Sequence, residues 1–148
     1  MDKQIRIIRT LNAPIDRVWD VWTKPEHIKM WWGPNGFTST IQKMDFREGG
    51  EWKLTLHGPD GQNYPNRSVF KEIVQLKKIV FEHMHPHFLT TVLFEVVGEG
   101  TRIDWTMEFE TAELRDIVVK TFKADRGQKE NVGKLERYLA TQFSERMN

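Results

Sequence analysis

From Thr38 to Glu110 the apolar residues of this chain recur with a period of two, and from Val132 onward they recur with a helical period. The alternation is clearest at the end of the first stretch, where Ile103, Trp105, Met107 and Phe109 alternate with Arg102, Asp104, Thr106 and Glu108. Trp52, Leu54 and Leu56 alternate in the same way with Lys53, Thr55 and His57, and further strands are expected at Thr38 to Phe46, Ser68 to Val74, Ile79 to His85 and Thr90 to Val97. Gly49-Gly50, the run Gly58 to Gly61 and Gly98-Glu99-Gly100 separate them as turn or bulge signals. Strands joined by tight turns pair antiparallel, and such a sheet needs one face covered. Val132, Leu135, Leu139 and Phe143 form one helical stripe opposite Lys134, Glu136, Arg137 and Glu145, so a long C-terminal helix is the expected cover. One helix cannot fill the whole concave face of a strongly curved sheet. Large side chains or a ligand must take up the remainder.

The N-terminal region adds a strand at Gln4 to Leu11, stopped by Asn12-Ala13-Pro14. A short helix follows, with Val18, Trp19 and Trp22 at helical spacing, until Pro25 breaks it. A second short helix, PEHIKMWW, ends at Gly33-Pro34-Asn35-Gly36. Ala112 to Lys123 reads as a further helix, with Gly127 as the expected interruption before the final one. The expected class is therefore α+β. Six to seven antiparallel strands wrap around a long C-terminal helix, and two short helices follow the first strand. No repeat, low-complexity tract or Pro/Ser-rich linker divides the 148 residues, so one domain over 1–148 is expected.

Composition narrows the function classes. The chain has no cysteine, which removes disulfide frameworks, cysteine nucleophiles and Cys-containing zinc motifs. With 22 Lys plus Arg against 21 Asp plus Glu, it offers no general attraction to phosphate backbones or acidic bilayers. No apolar run is long enough for a membrane span, and the first twenty residues lack a secretory signal pattern, so a cytoplasmic protein with neither nucleic acid nor membrane as partner is expected. Six Trp, nine Phe and two Tyr are many for a small chain, and they dominate cores and ligand pockets alike.

Three histidines stand out in HMHPH, at His83, His85 and His87. Residues two apart on a strand share a face, the arrangement with which two imidazoles grip one metal ion. No third ligand is evident on a neighbouring strand, and Pro86 turns His87 off the strand, so no metal site is expected. Phe81 shares the face of the histidines, which makes His83 an expected polar pocket residue that orients a ligand by one hydrogen bond. The adjacent Trp31 and Trp32 cannot both face the same way, which leaves two readings: one packs in the core while the other lines a cavity mouth, or both plug the space between helix and sheet. Asp45, Glu48 and Asp60 fall in turns, where carboxylates are solvated caps. No nucleophilic triad or phosphate-cradling loop is found, and neither catalytic residues nor a cofactor are expected.

The segment RTLNAPIDRVWDVWTKPEHIKMWWGPNGF, followed in order by MDFREGGEW, LHGPDG, SVFKEI and KLERYLA, resembles the bacterial relatives of the activator of heat-shock protein 90 ATPase. These belong to the START-like, helix-grip superfamily, with Bet v allergens, polyketide cyclases and lipid-transfer domains. The resemblance implies a hydrophobic cavity between the sheet and the long helix. It implies less about activity, because members bind lipids, sterols or polyketides, act as cyclases or aromatases, or assist a chaperone. The chain departs from its relatives at Ser68, where they usually carry Gly, at His83, where an aromatic residue is frequent, and at Asn131-Val132, where a Gly-Trp pair often opens the last helix. The expected function is binding of a hydrophobic small molecule by Trp32, Phe37, Trp52, Phe70, Phe81, His83, Phe94, Trp105, Met107 and Leu135. Two alternatives stand beside it: a chaperone-associated interaction protein, and a cyclase or hydrolase using His83 or His85 as general base. A homodimer is left open.

Overall fold

The alternating segments form strands and the periodic tail forms a helix, as side-chain burial requires. In the computed structural model, which describes the backbone of residues 2–147 and the side chains of residues 2–142, the order is β1 (Gln4–Leu11), α1 (Ile15–Thr23), α2 (Pro25–Trp31), β2 (Thr38–Met44), β3 (Glu51–His57) and β4 (Asn63–Val74). β5 (Lys78–His83), β6 (Phe88–Val97), β7 (Gly100–Phe109), α3 (Ala112–Phe122) and α4 (Ala124–Met147) complete it. The seven strands make one antiparallel sheet in the order β1-β7-β6-β5-β4-β3-β2. This is a helix-grip fold, with α4 lying against the concave face.

Three of the differences from the expected boundaries bear on the site and its cover. β5 ends at His83, so His85 lies in the β5–β6 turn and shares no strand face with His83. β4 begins at Asn63, five residues early, because Pro65 sits opposite Thr55 within the ladder. The break between the last two helices falls at Lys123, in the left-handed conformation with φ 54°, and Gly127 lies inside α4. α3 starts as capping rules require, with the Leu114 N–H donating to the Thr111 hydroxyl at 3.0 Å.

Cross-strand register sets up the inner face. Trp52 pairs with Ser68 and Ser68 with His83, while Phe81 pairs with Thr90 and Thr90 with Met107. The sheet bends where the register slips between Phe70 and Glu72 and between Ile41 and Lys43. At the β2–β3 connection Gly50 is obligatory, because a Cβ there would lie 1.9 Å from the Asp45 carbonyl oxygen.

One end of the concave face is filled. Trp19, Trp22 and Trp31 from the short helices pack with Phe94, Val92, Ile103 and the Val132, Leu135 and Leu139 stripe of α4. Trp22 makes edge contacts with Trp31, Phe94 and Trp105 at centroid distances of 4.8, 6.0 and 5.3 Å. Trp31 is fully buried and its indole donates to the Val21 carbonyl at 3.0 Å. The side chain of Phe143, expected to continue the stripe, lies outside the described residues, as does Glu145.

Leu135 and Leu139 are buried on the sheet side of α4, whereas Arg137 is exposed. Leu135→Ala and Leu139→Ala should each cost about 2–5 kcal/mol in urea unfolding, and Arg137→Ala should stay within about 0.5 kcal/mol. Equal small effects at all three positions would mean that α4 does not cover the sheet.

Candidate functional site

The other end of the concave face is open beneath the first turns of α4. The space is about 600 Å³, within the size range of small-molecule pockets. Its floor is the sheet, through Trp52, Phe81, Phe88, Thr90, Trp105 and Met107. Its ceiling is α3 and α4, through Val118, Phe122, Ala124, Gln128 and Asn131. Leu56, Tyr64 and Pro65 at the β3–β4 end, His85 and Pro86 in the β5–β6 turn, and Trp32 to Phe37 form the remaining walls.

Of the expected site residues, Trp32, Phe37, Trp52, Phe81, His83, Trp105 and Met107 lie on this wall. Phe70, Phe94 and Leu135 do not. They share the concave face, as their alternation and stripe require, but belong to the filled end: Phe94 meets Trp19 at 5.1 Å, Phe70 meets Phe46 at 5.0 Å, and Leu135 is fully buried in the core. Period assigns a face, not a position along it. The two adjacent tryptophans divide, with Trp31 in the core and Trp32 on the cavity wall.

Trp32 is held by its neighbours and by a clamp from α4. Its ring stacks on Trp105 at 5.5 Å with an interplanar angle of 22°, and contacts Trp52 at 5.0 Å. The buried Asn131 amide accepts from the Gly33 N–H at 3.2 Å and donates to the Trp31 carbonyl at 2.8 Å. Lys134 donates to the carbonyls of Phe37 at 2.9 Å and Pro34 at 3.4 Å. Burial, and then the charge of Arg137, push the Lys134 amine below the usual lysine range. Gly33 has φ +108°, a conformation strained for any other residue, and a Cβ there would also press on Leu56 at 3.0 Å.

His83 is buried and stacks on Phe88 at 4.4 Å with an angle of 9°. Its Nδ1 lies 2.7 Å from the Pro86 carbonyl and its Nε2 2.6 Å from Asn66 Oδ1. The Asn66 amide is oriented by its NH2 group, which donates to the Tyr64 carbonyl at 2.9 Å. A neutral imidazole carries one N–H and satisfies only one of these two oxygens; an imidazolium satisfies both. Burial opposes the charged form and pushes the His83 pKa down, against the hydrogen bond to Pro86, and the charges of His85 and His87 add to the depression. His85 is exposed at the rim. His87 points to Glu82 at 2.7 Å and Glu110 at 3.0 Å, and its hydrogen bond is the main reason that the Glu82 carboxyl sits below its ordinary range. Among the described residues no group of three His, Asp or Glu converges in a way that would hold a metal ion.

Sequence reasoning missed Asn66, Phe88, Thr90 and Gln128 on the wall. Two of them had a signal. Thr90 stands in phase with Val92 and Phe94 on the apolar face of β6, and Gln128 and Asn131 extend the apolar stripe of α4 backwards. Asn66 and Phe88 acquire their roles only through pairing and turn geometry.

Because the folded chain binds a proton at His83 less readily than the unfolded chain, whose histidines titrate near the ordinary value of about 6.5, stability should fall as pH drops through that value. In urea melts at pH 7.5 and 5.5, His83→Gln should lose less stability on acidification than the parent. Equal losses in the two proteins would remove His83 as a source of the pH dependence.

The model of the family described as Activator of Hsp90 ATPase homolog 1-like protein matches residues 12–140. Solved structures with the same fold include a protein from Nitrosomonas europaea, with 22% identity, TM-score 0.85 and coverage of 97% of this chain and 99% of that one. A protein from Arthrobacter aurescens has 23% identity, TM-score 0.88 and coverage of 94% and 87%. An AHSA1-like protein from Aeromonas hydrophila has 18% identity, TM-score 0.76 and coverage of 94% and 93%. No curated protein matches the sequence. The family match spans most of the chain and the fold agrees with it, so this chain belongs to the Activator of Hsp90 ATPase homolog 1-like family.

Proposed function

We propose that the protein binds a hydrophobic small molecule in the space between the sheet and α4, and that it works in the cytoplasm. One observation carries the reading: a cavity of about 600 Å³ whose floor is aromatic and whose wall includes no Asp, Glu, Lys or Arg among the described residues. A packed domain core leaves few voids larger than a water molecule, so a space of this size between well-packed elements is available to a ligand. Trp32, Phe37, Trp52, Phe81, His83, Trp105 and Met107 are the proposed contact residues. A general-base role for His83 has less support, since both ring nitrogens already lie within hydrogen-bond distance of protein oxygens. Chaperone association is the reading that the family description favours.

A neutral apolar dye such as Nile red should bind the folded protein one to one. Met107→Trp, which fills the floor, should weaken binding at least tenfold, and Ala124→Phe from the ceiling should do the same should the first variant unfold. Ile8→Ala, on the exposed convex face, should change nothing. Unchanged dye affinity in both filling variants would place the ligand elsewhere. Binding to heat-shock protein 90 that survives them would favour the chaperone reading, and native mass spectrometry of the same samples reports a homodimer as a doubled mass.

A further inference from the structure

We propose that the cavity takes an uncharged ligand carrying a hydroxyl or N–H group, and that the side-chain oxygen of Gln128 accepts the hydrogen bond from it. The inference rests on the ligand-binding reading above and specifies the polarity of the ligand.

Gln128 roofs the cavity from the second turn of α4 and is only 5% exposed. Its Nε2 donates to the Trp105 carbonyl at 3.0 Å. That bond fixes which end of the amide is which, because a carbonyl only accepts and the NH2 group must face it. The other end, Oε1, has no hydrogen-bond partner among the described residues.

Accessibility separates this oxygen from other unpartnered polar atoms of the wall. Trp52 Nε1, Trp105 Nε1 and Thr90 Oγ1 are sealed by their neighbours and do not open onto the space. Gln128 Oε1 is not sealed, and the little surface that Gln128 keeps lies on the cavity wall. Ser68 Oγ on β4 is open and unpartnered in the same way. A hydroxyl donates or accepts, so Ser68 makes no demand on a ligand's polarity, whereas a carboxamide oxygen only accepts.

The position of the oxygen turns this into selectivity. A ligand that fills the space strips solvent from Gln128 Oε1 and must donate in that solvent's place. One that cannot do so leaves a buried acceptor unpaired and loses affinity. Charge narrows the donor further. With no Asp, Glu, Lys or Arg on the wall among the described residues, an ammonium or a carboxylate would lose its hydration without gaining a counter-charge. A neutral hydroxyl or N–H remains, and the rings of Phe81 and Phe88 favour a planar body to carry it.

Displacement of bound Nile red by 2-naphthol, its near-isostere 2-methylnaphthalene and 2-naphthoate at neutral pH tests this. In a purely apolar site, affinities follow partitioning from water into cyclohexane, where nothing can hydrogen-bond. On that scale the naphthol should exceed the methyl compound by about fivefold or more, the gain expected from one net hydrogen bond. The naphthoate should bind about tenfold more weakly than the naphthol, or weaker still. Gln128→Leu, which keeps the bulk and removes the oxygen, should cut the naphthol advantage about fivefold while leaving methylnaphthalene affinity within about twofold. Gln128→Met should do the same should the first variant unfold. A naphthol advantage that is missing in the parent or survives unchanged in the Gln128 variants, or tightest binding of naphthoate, would overturn the inference while leaving ligand binding intact. Failure of Nile red and all three naphthalenes to bind would instead overturn the ligand-binding reading.

Discussion

A single α-helix, about 10–12 Å across with its side chains, cannot cover the concave face of seven strands spaced about 4.8 Å apart. Everything else in this structure follows from how the uncovered area is handled. At one end α1 and α2 supply Trp19, Trp22 and Trp31, which close the space with the apolar stripe of α4. At the other end the first turns of α4 carry Ala124, Gly127, Gln128 and Asn131 in place of large apolar residues, and the space stays open. The same helix thus plugs the core with one half and roofs the cavity with the other. Trp32 stands at the junction, touching Trp22, Trp52 and Trp105.

The roof and the rim are mechanically one unit. Glu130, Asn131, Lys134 and Arg137 on α4 all bond to the segment from Trp31 to Phe37, most of them through its backbone. A displacement of α4 would move Trp32 and Phe37 with it. The bond between Arg9 and Glu136 at 2.7 Å adds a tie from α4 to the far edge strand, though its solvent exposure limits its worth to about 1 kcal/mol or less. Much of the positional control therefore rests on the buried Asn131 amide, whose two ends are both engaged.

The class of fold was legible because period is a local property. The alternation of Ile103, Trp105, Met107 and Phe109 and the stripe of Val132, Leu135 and Leu139 each identify an element and its buried face. Position along that face is not local. Phe70, Phe94 and Trp105 carry the same sequence signal, yet only Trp105 borders the cavity, because Trp19 and Trp22 of α1 pack against Phe94 and Phe46 of the β2–β3 connection packs against Phe70. The histidines show the same limit: strand period pairs His83 with His85, but the turn that starts after His83 sends His85 to the rim and leaves His83 between Pro86 and Asn66. Asn131, noticed in the sequence only as a departure from relatives, proves to be the residue that fastens the Trp31–Gly33 backbone.

The central claim is that a small molecule sits on the sheet floor beneath the start of α4. Intermolecular nuclear Overhauser effects between bound Nile red and the protein's methyl groups test it directly. Contacts to the methyls of Met107 and Thr90, without contacts to Ile8 or Leu93 on the exposed convex face, are the predicted result. Contacts confined to Ile8 and Leu93, or to any surface methyl away from Met107 and Thr90, would contradict it.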